Sequence, residues 1–158
     1  MNALSTPTAP AAMPRSAFPA EILSFRLGEE HYGIDILKVQ EIRGWEPATR
    51  IPSAPPEVRG VINLRGHVVP IMDLRLRFAM PDADCGPLTV VIIAKAAGRM
   101  VGMVVDAVSE VMALEPAQVQ PGPAIAAVDA ACITGLATVN DQMVMLLDLD
   151  ALLQHIHA

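Results

Sequence analysis

The stretch Leu23-Ser24-Phe25-Arg26-Leu27-Gly28-Glu29-Glu30-His31-Tyr32-Gly33-Ile34-Asp35-Ile36 alternates apolar and polar residues on both sides of a polar turn. Leu23, Phe25 and Leu27 share one face, with Ser24 and Arg26 opposite; Tyr32, Ile34 and Ile36 then alternate with Gly33 and Asp35. A period of two belongs to strands with one buried face, so the segment reads as a β-hairpin turning at Gly28–His31.

The same pattern recurs further along. Displaced by 69 positions, Gly33 meets Gly102, Ile34 meets Met103, Ile36 meets Val105, Val39 meets Val108, Glu41 meets Glu110 and Ile42 meets Val111. Displaced by 75, Gly60 meets Gly135, Val69 meets Val144, Asp73 meets Asp148 and Leu74 meets Leu149. The extra six residues fall between the matching blocks, where both copies are proline-rich: Pro47, Pro52, Pro55 and Pro56, then Pro116, Pro121 and Pro123. A repeat of this kind implies two similar β units with the same strand order. Each is too small to bury a sufficient core alone, so the two are expected to share one.

Further hairpins follow from the same alternation: Thr89–Lys95 with Met100–Asp106 around Ala97-Gly98-Arg99, Val61–Leu64 with His67–Leu74 around Arg65-Gly66, and Leu136–Thr138 with Met143–Leu149 around Val139–Gln142. Pro70 inside a strand predicts an edge or a bulge. Single helical turns are expected at Ile36–Gln40 and Pro56–Arg59. A C-terminal helix is expected to start at Asp148, with Leu149, Leu152 and Leu153 facing the core.

Composition narrows the function. Of 158 residues, 53% are hydrophobic and 18% charged, which suits a packed domain and not a disordered chain. The net charge of -6 argues against nucleic-acid binding, and the densest basic group, Arg75 with Arg77, is too small to track phosphates. The longest apolar runs, Val90–Ala94 and Met143–Leu147, are too short to span a membrane. Residues 1–17 are rich in Ala, Pro, Ser and Thr and read as a flexible tail without the features of a secretory signal. Cys85 and Cys132 are therefore expected to be reduced thiols, Cys85 in a polar loop and Cys132 in the core.

No pattern of catalysis stands out. His31, His67, His155 and His157 lack metal-ligand spacing, and there is no Cys-x-x-Cys. Asp35, Asp73, Asp106 and Asp148 end apolar strands and read as solvated turn formers. The Gly60 segment lacks the helix that a phosphate loop would open. A small enzyme using Cys132 and a histidine remains as a rival from another class. Arg65 has two readings: a solvated turn arginine, paired or not with Glu41, or a recognition arginine holding a partner's carboxylate. Trp45 is likewise either a core cap or an interface anchor.

Several motifs in order carry a resemblance. Tyr32-Gly33-Ile34-Asp35-Ile36-Leu37-Lys38-Val39-Gln40-Glu41-Ile42-Arg43-Gly44, Gly60-Val61-Ile62-Asn63-Leu64-Arg65-Gly66, Val69-Pro70-Ile71-Met72-Asp73-Leu74-Arg75, Val101-Gly102-Met103-Val104-Val105-Asp106 and Thr134-Gly135-Leu136 resemble the bacterial chemotaxis coupling proteins of the CheW family. The resemblance runs from about Phe18 to Leu153. It implies an all-β fold of two intertwined five-stranded SH3-like barrels sharing a hydrophobic core, with short helices and a C-terminal helix. The domain is expected over 18–158, with pseudo-repeated parts near 21–85 and 88–150.

The resemblance also implies a non-catalytic adaptor without cofactor or metal. Such a protein joins the cytoplasmic tips of chemoreceptors to the CheW-like regulatory domain of the histidine kinase CheA. It would be cytoplasmic, held at membrane-associated receptor arrays without entering the membrane. Val39, Glu41, Ile42, Asn63 and Arg65 match receptor-groove positions, Val108 matches one on the second barrel, and Gly60 matches a partner-sensitive position. This favours the recognition reading of Arg65. The alternative is a CheW-type module of a non-flagellar chemosensory pathway. The N-terminal extension and the loop Met80–Pro87 depart from the family without touching its motifs.

Overall fold

In the computed structural model, residues 18–80, 85–120 and 132–153 are described. The expected first hairpin is β1 (Glu21–Leu27) with β2 (Glu30–Asp35). Its turn is shorter than expected, because Glu30 and His31 already pair with Leu27 and Arg26. A single 3₁₀ turn over Ile36–Lys38, capped by the Asp35 carboxylate on the Leu37 N–H, replaces the longer helical turn. Then come β3 (Val39–Gly44), β4 (Val58–Leu64), β5 (His67–Asp73) and a short helix α1 (Leu74–Arg77). The second half supplies β6 (Val90–Ala96), β7 (Arg99–Val105), β8 (Ala107–Ala113), β9 (Val119–Gln120), β10 (Ile133–Val139), β11 (Gln142–Leu147) and α2 (Leu149–Leu152).

The strands form two sheets, β8-β1-β2-β11-β10-β9 and β3-β6-β7-β5-β4. Each sheet combines strands from both sequence repeats. Hairpin β1–β2 lies parallel on β11, pairing Gly33 with Leu146, and hairpin β6–β7 lies parallel on β5, pairing Gly102 with Ile71. The offsets of 69 and 75 carry one pairing onto the other, so the duplication is written into the registers. The two glycines are there for the same reason. A Cβ on Gly33 would stand 2.5 Å from Ile22 Cδ1, and one on Gly102 would stand 2.5 Å from Ile71 Cδ1.

Both sheets close by the same device. After β3 the chain continues along β6 through a Trp45 N–H bond to the Thr89 carbonyl, then crosses to β4. There Thr49 and Val61 exchange two backbone hydrogen bonds of 2.9 and 2.8 Å. In the other sheet β9 makes the corresponding crossing, setting Gln120 opposite Leu136. Both barrels are bulged at the same place, between Val58 and Gly60 and between Ile133 and Gly135.

One core fills the space between the barrels. Phe25, Tyr32 and Phe78 stack at centroid distances of 6.0 and 5.6 Å, surrounded by Leu27, Ile34, Met72, Ile92, Met103 and Leu147. Leu149, Leu152 and Leu153 join this core from α2, as their spacing predicts. Burial of the Tyr32 phenol, aided by the charge and hydrogen bond of Glu30, raises its pKa well above the ordinary value.

Several expectations need correction. Pro56–Arg59 is not a helical turn: a Val58 N–H bond to the Pro55 carbonyl closes a tight turn that runs straight into β4. Pro70 is not at a bulge, since its register with Val61 is regular, and β5 as a whole lies between β7 and β4; only the start of β5 is unpaired on the β7 side. Proline is tolerated because the β5–β7 ladder begins only at Ile71. Asp73 is not a solvated turn former but is fully buried. Residues 1–17, 81–84, Pro121, Pro123, His155 and His157 lie outside the described residues.

The burial of Asp73 is explained by a charge cluster. Its carboxylate accepts from Arg59 Nε at 2.7 Å, from Arg75 Nε and Nη2 at 3.0 Å each, and from the Arg75 backbone N–H that starts α1. Arg75 is itself buried and reaches Asp106 at 2.8 Å, whose other oxygen accepts from the Gly28 N–H at the β1–β2 turn. Burial works against the Arg75 charge, but the hydrogen bonds and field of Asp73, with Asp106 and Cys85, outweigh it and raise the pKa above that of a free arginine.

Candidate functional site

The motif residues converge where β3 meets the β4–β5 turn. On β3, Glu41 and Arg43 share one half-buried face, while Gln40, Ile42 and Gly44 are exposed; a bulge between Val39 and Glu41 turns Val39 to the other face, against the shared core. The period of two thus separates a charged inner face from an outer face bearing an exposed isoleucine. Glu41 is held from two sides, by Arg65 Nη2 at 2.6 Å and by Arg43 Nη1 at 3.4 Å. Arg43 also reaches Glu46 at 3.1 Å, so charges alternate along the seam.

Arg65 and Gly66 form the two-residue turn between β4 and β5, with φ of 51° and 87°. Two left-handed residues in succession make a type I′ turn, whose first position suits Asn, Asp or Gly. The matching turn of the other barrel has Asn140-Asp141 there, at φ of 51° and 63°. Arginine in that conformation costs about 1 kcal/mol. Asn63 offsets part of this by accepting the Gly66 N–H on its side chain at 2.9 Å. The Arg65 side chain nonetheless stays 72% exposed. An arginine kept at a strained turn, oriented by one carboxylate and open to solvent, is suited to receive a second carboxylate.

Glu41, Asn63 and Arg65 are therefore brought together. Ile42 lies beside them on the opposite face of β3. Val39 packs on the shared core, as does Val108 from β8 in the other sheet. Gly60 is buried at φ +142°, and a Cβ there would overlap the Thr49 carbonyl. It is not a contact residue; it keeps open the crossing that closes the barrel. Leu37, 85% exposed on the 3₁₀ turn before β3, was not singled out by the sequence, although Ile36 and Val39 on either side of it turn inward.

Little here suggests chemistry. Among the described residues no group of three or more His, Cys, Asp or Glu is placed to hold a metal. Cys132 is buried, His31 bonds Gln142 at 2.9 Å, and His67 is exposed at the start of β5. Trp45 takes a cap position, with the Arg59 guanidinium 5.8 Å from its ring centroid. No described helix is long and apolar enough to cross a membrane.

Comparison with known proteins agrees with this arrangement. The family model for the CheW-like domain matches residues 21–157. The chain is 48% identical over 134 residues to the chemotaxis protein CheW of Klebsiella aerogenes, covering 84% of this chain and 81% of that one. It is 39% identical over 133 residues to the probable chemotaxis protein CheW of Rhizobium etli, covering 84% and 86%. The crystal structure of the scaffolding protein TtCheW from Thermoanaerobacter tengcongensis superposes with a TM-score of 0.81 at 34% identity, over 87% of this chain and 94% of that one.

Proposed function

The chain belongs to the CheW-like domain family, and on that premise we propose that it joins chemoreceptor tips to the histidine kinase CheA without catalysing a reaction. Its role is that of a chemotaxis coupling adaptor. The family match over residues 21–157 carries this role, and the exposed turn at Arg65 carries its location. The named relatives are chemotaxis proteins, which does not favour the alternative of a non-flagellar pathway.

The receptor tip, a helical hairpin, would lay its apolar face against Ile42 and the half-buried Val39 and Val108. Arg65 and Glu41 would fix its register through charge. Asn63 holds the turn that presents Arg65, and Gly60 acts through the backbone. The kinase's regulatory domain, of the same fold, would meet a barrel from another side. Signalling then works by binding energy: a shift at either interface biases the kinase. The protein would be held at membrane-associated arrays through its receptors.

Co-sedimentation with receptor-containing membranes and CheA tests the reading. The wild-type protein is expected to pellet with both and to support receptor control of the kinase. The folded Arg65→Ala variant is expected to lose that control. Failure of the wild-type protein to pellet would sink the adaptor role; full activity of Arg65→Ala would move the site elsewhere.

A further inference from the structure

Comparing equivalent positions of the two barrels exposes a difference. In one, the parallel ladder starts early, with Val144 opposite His31 and Met145 opposite Tyr32. In the other it starts two residues later, with Ile71 opposite Gly102. The residue equivalent to Met145 is Pro70. The pair Leu64–His67 flanks a two-residue turn and is hydrogen-bonded, so the Asn63–Val68 and Val61–Pro70 pairs are not. The backbone groups of Val68 and Pro70 thus point away from β4, toward β7, and Pro70 has no N–H to give.

The strands splay where that ladder is missing. In the closed barrel, Gln142 and His31 bond side chain to side chain across the gap at 2.9 Å. Their equivalents are His67 and Met100, which line instead an open cleft of about 410 Å³ between the start of β5 and the β6–β7 turn. By the same alternation from the Ala96–Arg99 pair, the N–H and C=O of Met100 also face the cleft. Its apolar wall is Val68, 69% exposed, with Val69 and Met100. Its rim is His67, Lys95 and Arg99, and no carboxylate lines it among the described residues. In a chain of net charge -6 this is a local reversal of sign.

We propose that this cleft is a docking site for an extended, acidic–apolar peptide segment of a partner protein. The segment adds as a strand to the free edge of β5 or β7. It places alternate apolar side chains on Val68 and Met100 and its carboxylates on Lys95 and Arg99. Arg99 already donates to the Leu153 carbonyl at 2.9 Å, which fixes its guanidinium at the rim. The site is separate from the Arg65–Glu41 pair and does not depend on the coupling role.

The probe is a fluorescein-labelled heptapeptide alternating glutamate and valine, with a lysine–valine heptapeptide as control. Fluorescence anisotropy is expected to show saturable binding of the first and at least about tenfold weaker binding of the second. Lys95→Glu, an exposed change, is expected to weaken the glutamate peptide about fivefold or more at unchanged thermal stability. Pro70→Met copies the closed barrel and is expected to weaken it as well. Amide exchange is expected to slow at Val68 or Met100 when the peptide binds. Absence of saturation, equal binding of both peptides, indifference to Lys95→Glu, or protection confined to other strands would each overturn the site. Self-association abolished by Val68→Asp would make a second copy the occupant and overturn the peptide reading too.

Discussion

The Arg65 guanidinium and the Glu41 carboxylate meet at 2.6 Å across the seam between β3 and the β4–β5 turn, yet the arginine side chain keeps 72% of its surface in water. So exposed a pair contributes only ~0–1 kcal/mol to stability. The left-handed backbone under Arg65 costs about as much as the pair contributes. The arrangement is close to neutral for folding, so its removal should be felt little in stability.

Arg65→Asn separates those two quantities. Asparagine suits the left-handed position, so the unfolding free energy should stay within ~1 kcal/mol of the parent. Receptor control of the kinase should nonetheless fall. Chemical denaturation, paired with a reconstituted kinase assay, reads both. A loss of stability matching the loss of coupling would make the pair structural.

Gly60→Ala should destabilise by ~2 kcal/mol or more, since it combines a disfavoured φ with overlap on a hydrogen-bonded carbonyl. Thermal melting would show this as a fall of roughly 4–8 °C for a chain of this size. Gly44→Ala is the control: its Cβ meets nothing within 4 Å, so its melting point should hold.

Removing Arg75 takes two charged hydrogen bonds from the fully buried Asp73 and leaves it Arg59. Arg75→Met should cost ~3–5 kcal/mol, although the methionine fills much of the same space. Arg59→Met removes a partner that is 28% exposed and should cost less. Urea titrations of the two variants check the order.

Tyr32 is the only tyrosine, so phenolate absorbance at 295 nm reports on one group. Its pKa is higher folded than unfolded, so the folded state keeps its proton where the unfolded chain has released it. The stabilisation is complete below the ordinary phenol value of 10.0 and is lost as pH rises beyond it. Phenolate should therefore appear only together with unfolding, as followed by circular dichroism. A separate titration near pH 10 in the folded protein would contradict the burial.

The strands and the duplication were legible because alternation is a local signal: Leu23, Phe25 and Leu27 declare a buried face without help from distant residues. The exchange of hairpins was not legible in the residues themselves. Gly33 and Gly102 align at an offset of 69, but only the registers reveal that each lies against the opposite half. Asp73 was misjudged for a similar reason. A carboxylate at a strand end looks solvated until Arg59 and Arg75 are seen to close on it, with Asp106, 31 positions beyond Arg75, holding that arginine in place. For Arg65, the pairing with Glu41 is what the structure shows, and the 72% exposure of its side chain leaves the guanidinium open to a further carboxylate.

The nesting of the strands has a consequence for how the protein comes into being. All of β3 through β7 lies between Val39 and Val105, so that barrel can close while the chain is still emerging from the ribosome. Hairpin β1–β2 is made first but completed last, because its partner β11 ends at Leu147. Such distant pairing is slow, and until it forms the edge of strand Glu30–Asp35 is left unpaired. A nascent chain stalled before β11 should hold one finished barrel and an unclosed sheet of β8, β1 and β2 with β2 as its bare edge, the state in which aggregation is the main hazard.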